Sequence, residues 1–523
     1  MTIRRLPSDR RRGLVLIAVL VVVVMLSLAA YQYSELITAE YGAMASYTRT
    51  TQTRAFADSG VHYGAAMLSD PFNVVGQLGG NPYDNPGAFQ DVLVQDPLTE
   101  GGPRGLFSII TLPRPEELQQ GASQQFRFGV SDENAKLNLN ALLQYQRSGE
   151  RGLAMLMQLP NMTEDVANSI LDWLDADDTI RAGGAENETY SAMTPPYRCK
   201  NGALDSLEEL LLVKGVTPYL LFGNDRNRNG YLDPDEDTGN GIDLGWQAYL
   251  TVFSVERNVD NYGEARINLM DQDYLAVLGA LDEAFPDKLA VQTFVLAYRL
   301  YGGQAPEEGA AAPPEPTEDD LSLVQLKVLG DWGKQRRSRM RSAWDMINKN
   351  VTVTITVGQQ TKEIILPSPF TDPVVARELL PVLFDRFTTR KSADLTPRIN
   401  VATASVVNLA MLPDITPEEV QQIVAAQPVY GGGNTTESVF STPTWLYTDA
   451  GLPASKLAQW DRYLTSRSQV YRFQVVGYFD RAGPISRAEV VIDGNLGRPR
   501  VVYWRDLTEL GPGFPLGGNV PVE

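Results

Sequence analysis

Gly13-Leu14-Val15-Leu16-Ile17-Ala18-Val19-Leu20-Val21-Val22-Val23-Val24-Met25-Leu26-Ser27-Leu28-Ala29-Ala30-Tyr31-Gln32-Tyr33-Ser34 is the stretch on which the reading turns. No residue from Leu14 to Ser34 is charged, and the first acid after them is Glu35. A helix needs about 20 apolar residues to cross a bilayer, so this run is long enough. Arg4, Arg5, Arg10, Arg11 and Arg12 precede it. Basic flanks stay cytoplasmic, which places everything after Glu35 on the opposite side. A secretory signal would have a shorter apolar core with a small-residue cleavage site behind it. Here the helical pattern runs on through Tyr31 to Ile37 instead. The residues alone leave an uncleaved signal anchor open as the plain alternative.

The rest of the chain narrows the chemistry. With 523 residues, 43% of them hydrophobic, two or three domains are expected. The formal net charge is −19 although the first thirteen residues are basic. Such an acidic body repels nucleic acid and anionic lipid and attracts divalent cations. The single cysteine, Cys199, excludes an intrachain disulfide framework. The single histidine, His62, excludes multi-histidine zinc sites and leaves one candidate base for a Ser–His or Cys–His pair. It lies in a helix-like stretch beside the apolar segment and reads as a surface residue. Hydrolase chemistry of the usual kinds is therefore disfavoured, and the chain reads as non-enzymatic.

A short basic leader ending in Gly13, followed directly by an apolar helix that runs into an amphipathic one, resembles a type IV prepilin. The resemblance implies that a prepilin peptidase cuts after Gly13 and makes Leu14 the mature, methylated amino terminus. Most of those proteins have Glu at the fifth mature position; this chain has Ala18, as the minor pseudopilin K family of type II secretion does. A lone carboxylate in lipid costs on the order of 3 kcal/mol. A subunit with no neighbour above it does better with an apolar residue there, which suits a filament tip. Arg54-Ala55-Phe56-Ala57-Asp58-Ser59-Gly60-Val61 resembles the small-residue, acid–Gly stretch of the same family, and small residues allow close helix packing.

Both ends of the ectodomain have strand texture. Residues 70–130 are rich in Gly, Pro and Asn, and Phe126-Arg127-Phe128-Gly129-Val130 alternates like a strand. Val470 to Phe479, Ser486 to Ile492 and Arg500 to Trp504 read as three antiparallel strands. Between them a weak repeat recurs: Lys136-Leu137-Asn138-Leu139, Arg266-Ile267-Asn268-Leu269 and Arg398-Ile399-Asn400-Val401. Leu159-Pro160-Asn161-Met162-Thr163 follows the first and Leu412-Pro413-Asp414-Ile415-Thr416 the third. Thr416-Pro417-Glu418-Glu419 has the pattern of a capping box with Pro at the first helical position, and Ser206-Leu207-Glu208-Glu209 has the box without the Pro. These features resemble the helix-hairpin-helix fold found in pseudopilin K. DNA-binding versions hold phosphate on a Gly-x-Gly hairpin at a helix start. Here acids follow the hairpins and no basic face is present, so DNA is not expected. Val351 to Val357 and Ile364 to Leu366 form a hairpin pattern.

One segment has metal chemistry. Asp225, Asn227, Asn229, Tyr231, Asp233 and Glu236 fall at positions one, three, five, seven, nine and twelve of a calcium loop, with Gly230 at six and Leu232 at eight. Tyr231 would give its carbonyl, Glu236 would close the loop bidentately, and the neutral reading is an acidic surface turn. The flanking helices of a true EF-hand are doubtful, because Tyr219 to Phe222 is short. Asp235, Asp237, Asn240 and Asp243 are weaker candidates for a second ion.

Asp172-Trp173-Leu174-Asp175-Ala176-Asp177-Asp178, with Gly183-Gly184-Ala185-Glu186 and Pro195-Pro196-Tyr197, closely resembles segments of pseudopilin K. Asp172 and Asp175 share a helix face at i, i+3, as do Asp175 and Asp178. With Glu186 they are read as a second cation site or a loop-ordering cluster, in preference to an acid–base pair.

The expected fold class is α+β: a type IV pilin-like long amino-terminal helix plus an antiparallel β sheet, with a large, mainly α-helical insertion containing helix-hairpin-helix-like repeats. The expected divisions are a leader 1–13, the transmembrane pilin helix 14–68, a first β region 69–132, a helical insertion with the calcium loop 133–304, a linker 305–320, a second helical region 321–465 and closing strands 466–523. The resemblance implies a minor pseudopilin in the bacterial inner membrane with a periplasmic ectodomain. It would cap a pseudopilus together with two other minor pseudopilins. Its remaining implied partners are the major pseudopilin, the prepilin peptidase and the inner-membrane assembly platform. The rival readings are a membrane-anchored calcium-binding adhesin and a DNA-uptake protein.

Overall fold

Helix α1 runs from Arg10 to Met67 without a break, as a stretch with no proline between Pro7 and Pro71 allows. Its side chains from Leu14 to Tyr47 are almost all exposed, and the window of highest apolar character is wholly unburied. This is one helix long and apolar enough to cross a membrane. The computed structural model describes residues 10–515 apart from 70, 98–99, 120–125, 146–149, 229–232, 234–235, 237–241, 308–312, 334–339, 358, 429–440 and 496.

The last turns of α1 pack on an antiparallel sheet. Its strands are β1 (Val92–Gln95), β2 (Gly105–Ile110), β3 (Ser131–Asp132), β4 (Val470–Phe479), β5 (Ser486–Asp493) and β6 (Arg500–Asp506). Their order is β1-β2-β4-β5-β6, with β3 beside the start of β4. Ala57 and Val61 of α1, and Leu68 just after it, share one core with Ile109, Phe473, Val475, Val490 and Ile492. The three carboxy-terminal strands coincide with the alternating runs in the sequence. Phe126 to Val130 does not form a strand; it contributes one bridge, Arg127 to Thr111. A Cβ at Gly129 would meet the Tyr83 carbonyl at 2.5 Å, so the chain there is pressed against another loop rather than laid along a neighbour.

Between β3 and β4 lies the insertion, with its own core around Trp246, Trp344, Trp445 and Trp460. Three times the same motif occurs. Leu137–Asn138 pairs in parallel with Leu250–Thr251, Ile267–Asn268 with Phe387–Thr388, and Ile399–Asn400 with Leu464–Thr465. The Asn side chain of each first strand accepts from the amide two residues on: Asn140, Met270 and Ala402, at 2.9, 2.8 and 3.0 Å. This is an Asx turn, and it ends each strand. Helices then flank a proline turn whose third residue is left-handed: Asn161, Asp287 and Asp414, with φ of 56°, 59° and 54°. Trp246 donates its indole N–H to the Pro160 carbonyl at 2.8 Å, and Trp460 does the same to Pro413 at 2.7 Å. Both begin a Trp-x-x-Tyr-Leu-Thr run that closes its repeat.

Local details depart from the sequence reading in two further places. The capping box at Thr416 and Glu419 forms, but Ser206 makes no side-chain cap and the segment is a 3-10 turn, Leu207–Leu212. Glu208 and Glu209 are drawn to Arg505 and Lys200 instead. The 305–320 segment is helical at its end, where Thr317 caps a helix Glu318–Asp331 that carries three acids in its first turn.

The insertion is fixed to the sheet by Glu133, immediately after β3. It is fully buried and accepts from Lys136 at 2.8 Å, from Arg472 of β4 at 2.8 Å, and from the Thr251 hydroxyl. Burial pushes this carboxyl up, but Arg472 and Lys136 more than offset it and hold it well below the usual carboxylate range. A depressed carboxylate adds stability that is present above its ordinary pKa and lost as the pH falls through its folded value. Removing one partner of such a buried group costs about 3–5 kcal/mol. Glu133→Gln is therefore expected to lower the urea midpoint of the full chain at pH 7 and to flatten its decline in acid. An unchanged midpoint would show that this contact does not hold the two parts together.

Candidate functional site

Two polar clusters in the first repeat contain the residues singled out in the sequence. The first follows helix Glu164–Leu174, which is capped by the Thr163 hydroxyl on the Val166 amide. The helix ends at Leu174, so Asp175 is its cap and Asp178 lies beyond it. Asp172 is fully buried and accepts from Arg181 at 2.6 Å and from the Ala185 amide at 2.9 Å; Arg181 also pairs with Asp175. Asp178 turns elsewhere and accepts from Asn187 at 2.6 Å and Asn201 at 3.0 Å. The Gly183-Gly184 pair is required by these acids. A Cβ on Gly184 would come within 2.0 Å of the Asp172 carboxylate, and one on Gly183, at φ 73°, within 2.0 Å of Asp165.

Glu186 is the exception in this network. It is 1% exposed, and among the described residues neither carboxylate oxygen has a hydrogen-bond partner by geometry, although the Cys199 thiol lies beside it. Burial, followed by Asp172 and Asp175, pushes its carboxyl up to about 7. Burial and the neighbouring Glu186 push the Cys199 thiol up to about 12, so it is no thiolate nucleophile. Trp173 seals the other side, donating to Glu209 at 3.1 Å and meeting the Tyr190 ring edge to face at 5.0 Å. Of the four predicted acids, Asp172 and Asp175 thus share Arg181, Asp178 binds Asn187 and Asn201, and Glu186 joins neither group.

The second cluster is the calcium-type loop. Helix Pro218–Phe222 leads into it and stops at Gly223, where a Cβ would lie 1.8 Å from the Asp243 carbonyl. Asn224 and Asp243 latch the base: the Asn224 amide donates to the Asp243 carbonyl at 3.0 Å, and the Asp243 amide to the Asn224 side chain at 2.7 Å. Asp243 therefore serves the latch. Asp225 is fully buried and Glu236 is 6% exposed. Glu236 folds back over the loop and accepts from the amides of Arg226 at 2.9 Å, Asn227 at 3.3 Å and Asp233 at 3.4 Å. Asn227 donates to Asp233 at 2.7 Å. Asn229, Tyr231, Asp235, Asp237 and Asn240 lie outside the described residues. Among the described residues no three His, Cys, Asp or Glu side chains form a group able to hold an ion. The donor chemistry, all oxygen with two buried carboxylates, nonetheless suits a hard cation. Binding one there requires Glu236 to exchange backbone amides for the ion.

What the sequence did not reveal is where this loop rests. Arg487 of β5 donates to the Asn227 carbonyl at 3.2 Å and to the Arg228 carbonyl. Arg228 pairs with Glu489 of β5 at 3.5 Å, and Arg505 of β6 with Glu208 at 2.6 Å. The loop is a bolt between the first repeat and the far strands of the sheet. Alternation in β5 gives no hint of it, because Arg487 and Glu489 read there as ordinary outward polar positions. At the amino end, Gly13 lies within α1, and Leu14 is 74% exposed.

Comparison with known proteins bears on the same region. Residues 135–221 match the family model described as type II secretion system (T2SS), protein K. A putative type II secretion system protein K from Escherichia coli K12 is 29% identical over 115 residues, which are 20% of this chain and 35% of that relative. Type II secretion system protein K from Pectobacterium carotovorum subsp. carotovorum is 38% identical over 53 residues, 10% of this chain and 16% of that relative. Both matched stretches are thus well under half of the relatives' lengths. A chain from the crystal structure of the GspK-GspI-GspJ complex of the enterotoxigenic Escherichia coli type 2 secretion system aligns over 89% of this chain and 99% of that one, with 12% identity and a TM-score of 0.38. The first repeat, with its Asp172 network, is thus the part of the chain similar to type II secretion system protein K.

Proposed function

We propose that the chain is a minor pseudopilin of a type II secretion system and works by assembly rather than catalysis. The observation that carries this is the place of the region similar to protein K, inserted within a helix-on-sheet frame behind a membrane-length apolar helix. In this reading α1 sits in the bacterial inner membrane, the sheet and insertion face the periplasm, and two other minor pseudopilins join it at the tip. The major pseudopilin lies below, and the prepilin peptidase and assembly platform act on it beforehand. The bulk of the insertion then blocks subunit addition above. The three repeats are read as relatives of the helix-hairpin-helix fold, used here for packing and not for DNA. Neither the fold nor the comparisons favour a free-standing adhesin or a DNA-uptake protein. Deleting the coding sequence is expected to abolish export of type II substrates into the medium, and restoring the full chain to recover it. Undiminished export in the deletion strain would contradict the reading.

Calcium belongs to the same proposal. An ion held by Asp225, Asn227, Asn229, Asp233, Glu236 and the Tyr231 carbonyl would supply charge neutralisation and lock the loop that bolts the first repeat to β5. Chelation with EGTA is expected to lower the melting temperature of the full chain by several degrees, with recovery on calcium but not magnesium. Asp225→Asn and Glu236→Gln should remove that response. A melting temperature indifferent to EGTA would exclude the site.

A further inference from the structure

The three repeats close their strand pairs with the same parts, except at one. In the first, the Thr251 hydroxyl accepts from the Phe253 amide at 3.0 Å and donates to Glu133, which Lys136 also binds. In the third, the Thr465 hydroxyl accepts from the Arg467 amide at 3.3 Å and donates to Glu256 at 3.2 Å, which Arg398 also binds. In the second, the Thr388 hydroxyl accepts from the Arg390 amide at 3.1 Å, but no acidic side chain among the described residues takes its hydrogen. Arg266 stands where the other repeats have Lys136 and Arg398. Its Nε donates to the main-chain carbonyl of Asp385 at 2.9 Å, and it forms no ion pair within 4.0 Å among the described residues.

Beside these two residues is a cavity of about 50 Å3, whose lining includes Arg266, Arg390, Arg398 and Arg467, Thr388 and one acid, Asp461. Arg398 is held by Glu256, and Arg390 by Asp461 at 2.9 Å. Arg467 donates to the main-chain carbonyls of Val259 and, at 2.8 Å, Asp260, and like Arg266 forms no ion pair among the described residues. Asp385 acts on both of these arginines and Asp260 on Arg467, and Glu256, already bound to Arg398 and Thr465, also acts on both, all without an ion pair to either. Burial, and then the neighbouring Arg467, bring the Arg266 guanidinium down to about 10. Positive charge crowded out of water in this way is relieved by an anion.

We propose that this cavity is a binding site for one small oxyanion of the phosphate, sulfate or carboxylate class. Its oxygens take the place that the Glu133 and Glu256 carboxylates fill in the sister repeats, accepting from the Thr388 hydroxyl and from Arg266 and Arg467. Charge-assisted bonds from guanidinium to oxyanion are short and roughly twice as strong as neutral ones. A space of this size holds an ion of a few heavy atoms and is too small for a nucleotide. The bound ion ties the second repeat to the third, which share the cavity through Arg266 and Arg398.

The test is equilibrium dialysis of radiolabelled phosphate against the full chain in detergent at constant ionic strength, with sulfate, acetate and chloride as competitors. Saturable uptake of one ion per chain is expected, displaced by sulfate or acetate and not by equimolar chloride. Competition stronger by acetate than by sulfate would identify the class as carboxylate, and the reverse as a tetrahedral ion. Arg266→Gln is expected to weaken uptake at least tenfold. Thr388→Val, which leaves every charge in place, should weaken it measurably, and the exposed, distant Arg104→Gln should not. Generic salting effects on stability do not produce saturable uptake. The proposal is overturned if the folded chain takes up none of the three oxyanions saturably, or if Thr388→Val and Arg266→Gln bind as the parent does.

Discussion

Helix α1 meets the sheet at three glycines where an added side-chain carbon has no room. A Cβ at Gly477 of β4 would lie 2.2 Å from the Thr53 carbonyl and 2.6 Å from the Ala57 amide; one at Gly60 would strike Val475, and one at Gly64 would strike Phe473. Backbone-to-backbone approach of this kind fixes both the height and the rotation of the helix on the sheet, because overpacking by one carbon costs about 1–3 kcal/mol. Around these points Phe56 meets Phe479 edge to face at 5.3 Å, and the Thr53 and Ser486 hydroxyls share a hydrogen bond at 3.0 Å. The apolar segment is therefore the free end of a rod whose other end is clamped on the sheet.

Strand β4 also joins the beginning of the folded part that follows α1 to its end. Arg472 and Glu133 are 339 positions apart in sequence and in direct contact. Beside them Asp132 accepts from Asn400 and Thr403 of the third repeat, at 2.7 and 2.6 Å, and from Ser468. Burial raises this carboxyl despite those bonds, a cost accepted where three segments must meet in one register. The insertion repeats this device. Each strand pair sets a half-buried cationic side chain beside a threonine, and in the first and third an acid completes it. Buried charge is costly unless paired, so these knots specify which repeat stands against which more than they add stability.

Much of this was legible in the residues, and the rest was not, for physical reasons. The apolar run, the carboxy-terminal strands, the 351–366 hairpin and the Thr416 capping box depend on neighbours within a few positions, so pattern alone reads them. The basic–apolar–Asn repeat was visible, but not its meaning, because the parallel partner of Asn138 is Thr251. The middle repeat's Phe285-Pro286-Asp287 turn lacks the Leu-Pro-x-x-Thr spelling and reads as nothing until the left-handed Asp287 is seen. The Asp172 to Asp178 spacing implied one helical face. The helix ends at Leu174, and Arg181 from beyond it collects two of the acids. In the calcium-type loop the spacing was plain, whereas its docking on Arg487 and Glu489 is a contact across the fold.

The central claim is that this is a pilin-type subunit, processed and then assembled by its amino-terminal helix. Its most direct test is intact-mass and peptide mass spectrometry of the mature chain taken from native membranes. A chain beginning at Leu14, with a methylated amine, is the predicted result. A chain that still begins at Met1 or Thr2 would contradict it and leave a plain signal anchor carrying the same ectodomain.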